Sequence, residues 1–396
     1  MNIFREISRW PWRFQQQHGQ TYFEKSLYLI WHRTFDALVR RKVLWPNGQI
    51  RFTTQRKSVA ATANKQYEKL VCLTGFGHSG SGAVLDLLSE YDNVTAKGFI
   101  DADGSARTCE QADAIECVFA PLAGGIWTLE KILPNGSMQE MDAFIKLFLA
   151  GISSMYNPSS TVYGEAFLNA AREFMDGIVD YCHTDSMGYE YCPHLHGVGE
   201  NGFRCLYGDD AKMGIFKMRE LSIKEYRQIA SRFIRKIISL IPSNRILVLD
   251  QALSDGSADM EKYIDYFGEL KLIAVYRDPR DVYVTARTLG ISWIPPKPED
   301  FIKMYNGYGI IDKYLKLNHP NFLMLRFEDV VNDYETSVRK VEQFIDLDAA
   351  AHKAIKQAFD PARSQKNIGI HARHPEYAKE TEMIGRELRR FCYNPA

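Results

Sequence analysis

The stretch LTGFGHSGSGAVLDLL, residues 73 to 88, decides the fold because it places a glycine-rich loop between a strand and a helix. The apolar run KLVCLTG (69–75) predicts a buried strand, and GAVLDLLSEY (82–91) has the apolar spacing of a helix. Helix N-terminal amides at such a turn point toward an anion, and glycines let the backbone approach it closely. The stretch therefore predicts an anion-binding loop.

The glycines of this loop fit two nucleotide-binding patterns. Gly75, Gly77 and Gly80 match G-x-G-x-x-G, and Asp101 follows at the distance of a ribose-binding acid. Gly75 and Gly80 also fit the start of G-x-x-x-x-G-K-[ST], but Ser81-Gly82 stands where a triphosphate loop needs Lys and a magnesium ligand. The triphosphate pattern is thus incomplete, and the dinucleotide pattern alone is a weak indication.

The rest of the chain alternates between predicted strands and helices. Short aliphatic runs predict strands at 94–99, 245–251, 270–278 and 322–329, and longer periodic segments predict helices at 137–155, 161–182, 257–267, 279–288 and 334–346. This order predicts an α/β protein of the P-loop type, with a central parallel sheet flanked by helices. Its ligands are expected beyond the carboxyl ends of the strands.

The net charge of the chain is zero, but the charged residues are unevenly distributed along it. The 396 residues carry 49 Lys and Arg and 49 Asp and Glu, yet residues 1–57 hold eleven basic and three acidic side chains. We interpret 1–68 as a basic, amphipathic helical arm and 69–396 as the α/β domain, with 100–244 as an inserted region on the acceptor side. The arm contains no apolar run long enough to span a membrane.

A Cys/His-rich stretch at 181–214 interrupts the α/β pattern and predicts irregular loops or a small hairpin. A zinc site there would draw on the following residues: Cys182, His183, Cys192, His194, His196 and Cys205. The stretch lacks a C-x-x-C pair, so the spacing favours a folded insertion over a metal site. The seven cysteines are scattered along the chain, which favours a reducing, cytoplasmic compartment.

A second motif, IAVYRDPRDVYVTAR (273–287), chooses among the interpretations of the loop. It is an apolar strand that ends at Arg277, followed by a helix that begins at Pro279 and contains Thr285. Together with the glycine loop it resembles the sulfotransferases that use 3′-phosphoadenosine 5′-phosphosulfate (PAPS). Further along, ARSQKNIG (362–369) is similar to the Ser-x-Lys-Asn segment of that family.

The resemblance implies a set of donor-binding residues. The loop would hold the 5′-phosphosulfate, with backbone amides of residues 79–82 around the phosphate. Arg277 and Thr285 would bind the 3′-phosphate. The full set of implied donor ligands is Gly77, His78, Ser79, Gly80, Ser81, Gly82, Arg277, Thr285, Ser364, Lys366 and Asn367.

Two catalytic roles follow from the same comparison. His78 stands where many members of the family have lysine, and it would donate to the oxygen that leaves with the phosphate. The general base for the acceptor is either Asp250, at the end of RILVLDQ, or Glu165, in VYGEAF.

The resemblance predicts transfer of a sulfuryl group from PAPS to a hydroxyl or amine of a saccharide, glycan or glycolipid. We expect no metal and no nucleic-acid partner, with possible contact of the basic arm at the inner face of the membrane. Two alternatives are an NAD(P)-dependent oxidoreductase that uses the G-x-G-x-x-G loop and a non-catalytic nucleotide-binding protein.

Overall fold

A computed structural model of the chain describes residues 49–51, 67–100, 106–108, 126, 129–130, 133, 138–156, 158, 163–183, 197–241, 243–250, 259–308 and 310–394. Most of the basic arm lies outside these residues, as do Asp101, Cys192, His194 and His196.

In the described ranges the strands are β1 (Gln49–Arg51), β2 (Lys69–Gly75), β3 (Val94–Thr95), β4 (Lys97–Ile100), β5 (Ala106–Thr108), β6 (Val179–His183), β7 (Ile215–Met218), β8 (Ile246–Asp250), β9 (Lys271–Tyr276) and β10 (Phe322–Arg326). The helices are α1 (Ser81–Ser89), α2 (Met138–Met155), α3 (Glu165–Ile178), α4 (Glu200–Tyr207), α5 (Ile223–Ser239), α6 (Met260–Phe267), α7 (Pro279–Thr288), α8 (Pro298–Tyr308), α9 (Ile310–Lys316), α10 (Phe327–Asn332), α11 (Tyr334–Ile345), α12 (Pro361–Ser364) and α13 (Ala378–Glu387).

These elements form two compact units. The first comprises described residues within 1–63 and 117–240, and the second those within 64–116 and 241–396. We call them the insert unit and the sheet unit.

The sheet unit is built on five strands in the order β10-β9-β2-β8-β3, and every neighbouring pair is parallel. The predicted central parallel sheet flanked by helices is therefore confirmed. Strands β2, β8 and β9 are buried through their centres because helices cover the sheet, which explains their continuous aliphatic sequences.

Strand order explains where a ligand can bind. From β2 the chain continues toward the β3 edge of the sheet, whereas from β9 it continues to β10 at the opposite edge. In open α/β sheets a crevice opens at such a reversal, at the carboxyl ends of the strands. The loops that follow Gly75 and Tyr276 leave the sheet at this point, side by side.

One hydrophobic core fixes the base of the glycine loop. Side chains of α1, such as Val84 and Leu88, pack with Val330 of α10 and Val338 of α11 against one face of the sheet. Burying side chains of this size stabilises the fold by about 1.5–3 kcal/mol each. The start of α1 is thereby held against α10.

The insert unit contains an antiparallel sheet in the order β1-β6-β7 and the helices α2 to α5. The helix predicted at 161–182 is wrong at its end, because α3 stops at Ile178 and Val179–His183 forms β6. Pairing with β7 outweighs the helical spacing there. Within 181–214 the structure also contains α4, which the loop-or-hairpin prediction missed.

None of the described helices is both long enough and apolar enough to cross a membrane.

Candidate active site

Two glycines of the loop are required by close packing in the sheet unit. A Cβ atom at Gly75 would lie 2.3 Å from the carbonyl oxygen of Val275 on β9. Gly80 has a left-handed φ of 98°, and a Cβ there would lie 2.4 Å from the Phe327 ring. The loop is therefore held tightly between β9 and the start of α10.

The amides of this loop are used in two ways. The Ser79 N–H donates to the Phe76 carbonyl at 2.9 Å and closes a turn. The N–H groups of Gly80 and Gly82 have no hydrogen-bond partner in the described residues. They lie at the positive end of α1, where an anion is favoured.

His78 forms the outer bend of the loop. Its φ of 63° is left-handed, which is uncommon for a residue with a side chain. Its ring lies nearly parallel to that of Trp293, with an interplanar angle of 15° and a centroid separation of 6.1 Å. Its carbonyl oxygen accepts a hydrogen bond from Arg277 at 3.3 Å.

Arg277 follows β9 directly and connects the three predicted segments. Its Nη1 donates to the His78 carbonyl, and its Nη2 donates to the Asn367 carbonyl at 2.5 Å. Its guanidinium also lies over the Phe327 ring, 5.2 Å from the centroid. The side chain is only 6% exposed. Burial lowers the pKa of Arg277, but the group remains a cation because arginine does not deprotonate in proteins.

Neighbouring carboxylates are bonded to other groups. Asp278 caps α7 through the Arg280 N–H and forms an ion pair with the Arg280 guanidinium at 2.6 Å. Asp281 bonds to the His371 ring at 2.5 Å. Burial raises the pKa of Asp281, but the hydrogen bonds from His371 outweigh it and hold that pKa below its ordinary value. Neither carboxylate hydrogen-bonds to Arg277 in the structure.

Several buried polar atoms near the loop and α7 have no hydrogen-bond partner in the described residues. Among them are Ser79 Oγ, Arg277 Nε and Thr285 Oγ1, which belong to the predicted donor site; Arg287 Nε and Glu328 Oε2 are others. Nearby Thr288 differs, since its hydroxyl bonds to the Val284 carbonyl at 3.0 Å, as threonines in helices often do. An unpartnered buried polar atom is costly, so several of them in one region indicate a place for a polar ligand.

The segment after α12 approaches Arg277 through its backbone. Asp281 accepts hydrogen bonds from the N–H groups of Gly369 at 2.7 Å and His371 at 3.0 Å, which fixes the chain beside α7. The Lys366 side chain is exposed, and Ser364 is half-buried at the end of α12.

The two candidates for the general base lie in different units. Asp250 ends β8 next to β2, is buried, and accepts a hydrogen bond from Ser81 Oγ at 3.3 Å. This contact orients the first residue of α1. Glu165 begins α3 in the insert unit, is exposed, and accepts a hydrogen bond from the Tyr156 hydroxyl at 2.7 Å.

Cys182 is one of the residues considered for a zinc site. It is buried, and its sulfur accepts a hydrogen bond from the Gly214 N–H at 3.3 Å. Over the part of the chain that the structure describes, no cluster of His, Cys, Asp and Glu side chains is arranged to hold a metal ion.

Comparison with protein families gives one match. Residues 266–367 match the family model for the sulfotransferase domain. That range contains Arg277, Thr285 and the segment 364–367, whereas the glycine loop lies outside it. This part of the chain is therefore similar to the sulfotransferase domain.

Two solved structures are similar to the chain. One is the sulfotransferase domain of the Synechococcus olefin synthase, at 11% identity and a TM-score of 0.36, covering 84% of this chain and 98% of that one. The other is a sulfotransferase from Mycobacterium avium, at 12% identity and a TM-score of 0.33, covering 80% and 77%. No curated protein matches the chain.

Three residues near the loop were not predicted from the sequence. Asp281 belongs to the second motif, and its place in the first turn of α7 could have indicated a structural carboxylate. Phe327 and Trp293 contact the loop from elements far along the chain, and single aromatic residues outside a periodic pattern give no sequence indication of such contacts.

Proposed function

We propose that the enzyme transfers a sulfuryl group from PAPS to a hydroxyl or amine of a saccharide, glycan or glycolipid. One observation carries the proposal. Arg277 hydrogen-bonds to the backbone of both the glycine loop and the Asn367 segment, so three segments far apart in sequence surround one cation. An anionic nucleotide with phosphates at two positions fits such a site.

The residues present suit both ends of the donor. The amides of Gly80 and Gly82 and the hydroxyl of Ser79 would hold the 5′-phosphosulfate. Arg277 Nε and Thr285 Oγ1, both buried and unpartnered, would hold the 3′-phosphate. PAPS supplies the sulfuryl group, the acceptor supplies the nucleophile, and the protein supplies the base and the groups that bind both.

The reaction requires one bond to form and one to break. The acceptor oxygen or nitrogen bonds to sulfur while the bond from sulfur to the bridging oxygen of the phosphosulfate breaks, and the acceptor loses its proton to a base. His78 would donate a hydrogen bond to the bridging oxygen as negative charge collects there. Asp250 and Glu165 are the two candidates for the base.

The family match favours this function over an NAD(P)-dependent oxidoreductase, because residues 266–367 match a sulfotransferase domain and the glycine pattern alone supports the oxidoreductase. A non-catalytic nucleotide-binding role is distinguished by turnover: such a protein would bind 3′-phosphoadenosine 5′-phosphate (PAP) without transferring sulfuryl groups.

Arg277→Ala tests the proposed 3′-phosphate site. Loss of charge-assisted hydrogen bonds should weaken PAP binding by about 1.5–3 kcal/mol. Binding of adenosine 5′-phosphosulfate, which lacks the 3′-phosphate, should weaken much less. Calorimetric titration of both ligands measures the difference, and equal losses for the two would refute the assignment.

Thr285→Val tests the second group of that site, with Thr288→Val as a matched control on the same helix. Removing the unpartnered hydroxyl of Thr285 should weaken PAP binding by about 0.5–1.5 kcal/mol. Thr288 already bonds within α7, so its variant should bind PAP like the wild type. Indistinguishable affinities for the two variants would exclude Thr285 from the site.

Two further proposals concern recognition of the acceptor and the cellular location of the enzyme. The basic arm and the insert region would contribute to acceptor recognition, and an excess of positive charge in residues 1–57 suits an anionic glycan or lipid surface. The scattered cysteines support a cytoplasmic enzyme, and the basic arm would contact the inner face of the membrane.

A further inference from the structure

Trp293 combines high exposure with a fixed position. Its side chain is 51% exposed. The loop that carries it is fastened to α7 at both sides: Arg287 donates to the carbonyls of Ile291 at 3.3 Å and Ile294 at 2.9 Å, and the Tyr283 hydroxyl donates to Pro296 at 2.6 Å. An indole held in this way presents a rigid flat surface.

That surface lies against the first half of the glycine loop. A Cβ at Gly77 would lie 2.3 Å from Trp293 Cη2, so the indole covers the backbone at this glycine. The Phe76 ring lies beside it with a centroid separation of 6.0 Å, and the His78 ring runs nearly parallel to it. Isolated exposed aromatics are common on proteins, but this one packs onto the glycine loop.

The two halves of the loop have different neighbours. Gly80, in the second half, faces Phe327, and the Arg277 guanidinium lies over that same ring. With the 3′-phosphate assigned to Arg277 and Thr285, the adenosine is placed on the side of the Phe327 ring. The side of Gly77 and His78 is left for the group that approaches the sulfur.

We propose that Trp293 is a stacking platform for the acceptor, and that its ligand is a pyranose ring that carries the reacting hydroxyl. This inference rests on the proposed function. The apolar C–H face of a pyranose can cover the exposed indole while its hydroxyls stay hydrogen-bonded at the edge of the ring. The stacked sugar would place a hydroxyl beside His78, where sulfuryl transfer is assigned.

The platform selects for ring shape. An alkyl alcohol has no flat face to stack on the indole, so it should bind less well than a pyranoside with the same alkyl chain. The experiment uses hexyl β-D-glucopyranoside, hexyl β-D-galactopyranoside and the corresponding N-acetylglucosaminide as probes, with hexanol as the acyclic control. Binding to the full chain is measured calorimetrically with PAP present at saturation.

At least one pyranoside should bind the wild type more tightly than hexanol. Trp293→Ala should weaken that binding about tenfold or more, and Trp293→Phe should restore most of it because an aromatic face remains. Leu289→Ala, a change at an exposed position just before the same loop, should have no effect. PAP affinity should be the same in all variants.

Three results would overturn the inference. They are a wild type that binds no probe pyranoside better than hexanol, a Trp293→Ala variant that binds the sugar normally, and a Trp293→Ala variant that loses PAP affinity, which would assign the indole to the adenine. Failure of the wild type to bind PAP at all would instead refute the proposed function, so the two failures are distinguishable.

Discussion

Replacing His78 by glycine should lower the turnover number by about 10²-fold or more while PAP affinity changes little. His78 would act on the leaving oxygen only as negative charge develops there, so its loss affects the transition state more than the bound donor. Glycine is a better deletion than alanine, because residue 78 has a left-handed φ of 63° that glycine adopts without strain. The initial rate of transfer from PAPS to an acceptor of the wild type measures the effect.

Two further variants separate charge from packing at this position. His78→Lys and His78→Arg should recover part of the rate, since each returns a cationic donor. Near-normal turnover in His78→Gly would mean that the backbone amides alone stabilise the leaving group.

Glu90→Ala should destabilise the sheet unit by about 3–5 kcal/mol, because three backbone N–H groups would lose their acceptor and a buried donor without a partner costs about 1–3 kcal/mol. Glu90 is only 2% exposed at the end of α1. Its carboxylate accepts hydrogen bonds from the N–H groups of Lys356, Ala358 and Phe359 and lies 2.7 Å from the His352 ring. Alanine would leave all four groups without this partner.

Two control variants should destabilise the sheet unit less than Glu90→Ala does. Glu90→Gln retains an acceptor oxygen and should cost less, about 1–3 kcal/mol. Glu335→Ala removes an exposed ion pair to Lys356 in the same segment and should cost at most about 1 kcal/mol. Hydrogen exchange of the amides of residues 356–359 measures the local opening, and unchanged protection in Glu90→Ala would contradict the anchoring role.

The same anchor should influence the candidate site. Residues 352–359 lead directly into α12 and the stretch that presents the Asn367 carbonyl to Arg277. If residues 352–359 are held less firmly, the stretch that contains Asn367 should also be held less firmly. In Glu90→Ala we expect weaker PAP binding as well as lower stability.

Local sequence predicts an element correctly where a glycine or proline marks its end and its apolar residues are buried. Strand β2 was predicted at 69–75 and α7 at 279–288, because glycine ends the first and proline begins the second. The strand predicted at 322–329 stops at Arg326, where α10 begins. An apolar run that continues from a strand into a buried helix shows no change of pattern at the boundary.

Contacts across long stretches of sequence could not be predicted. The motifs indicated Arg277 and Thr285 as ligands, but nothing local indicates that the Arg277 guanidinium would bond to the carbonyls of His78 and Asn367. Those bonds use backbone oxygens, which every residue has. Trp293 was missed for a related reason, since its position depends on Arg287 bonding to the backbone of its loop.

The central claim is that the glycine loop and Arg277 together bind a nucleotide with phosphates at the 5′ and 3′ positions. The most direct measurement is calorimetric titration of the wild-type chain with PAP, adenosine 5′-monophosphate and NAD⁺. We predict that PAP binds at least about tenfold more tightly than adenosine 5′-monophosphate, because the second phosphate adds charge-assisted hydrogen bonds. Equal affinity for those two nucleotides, or tighter binding of NAD⁺ than of PAP, would contradict the claim.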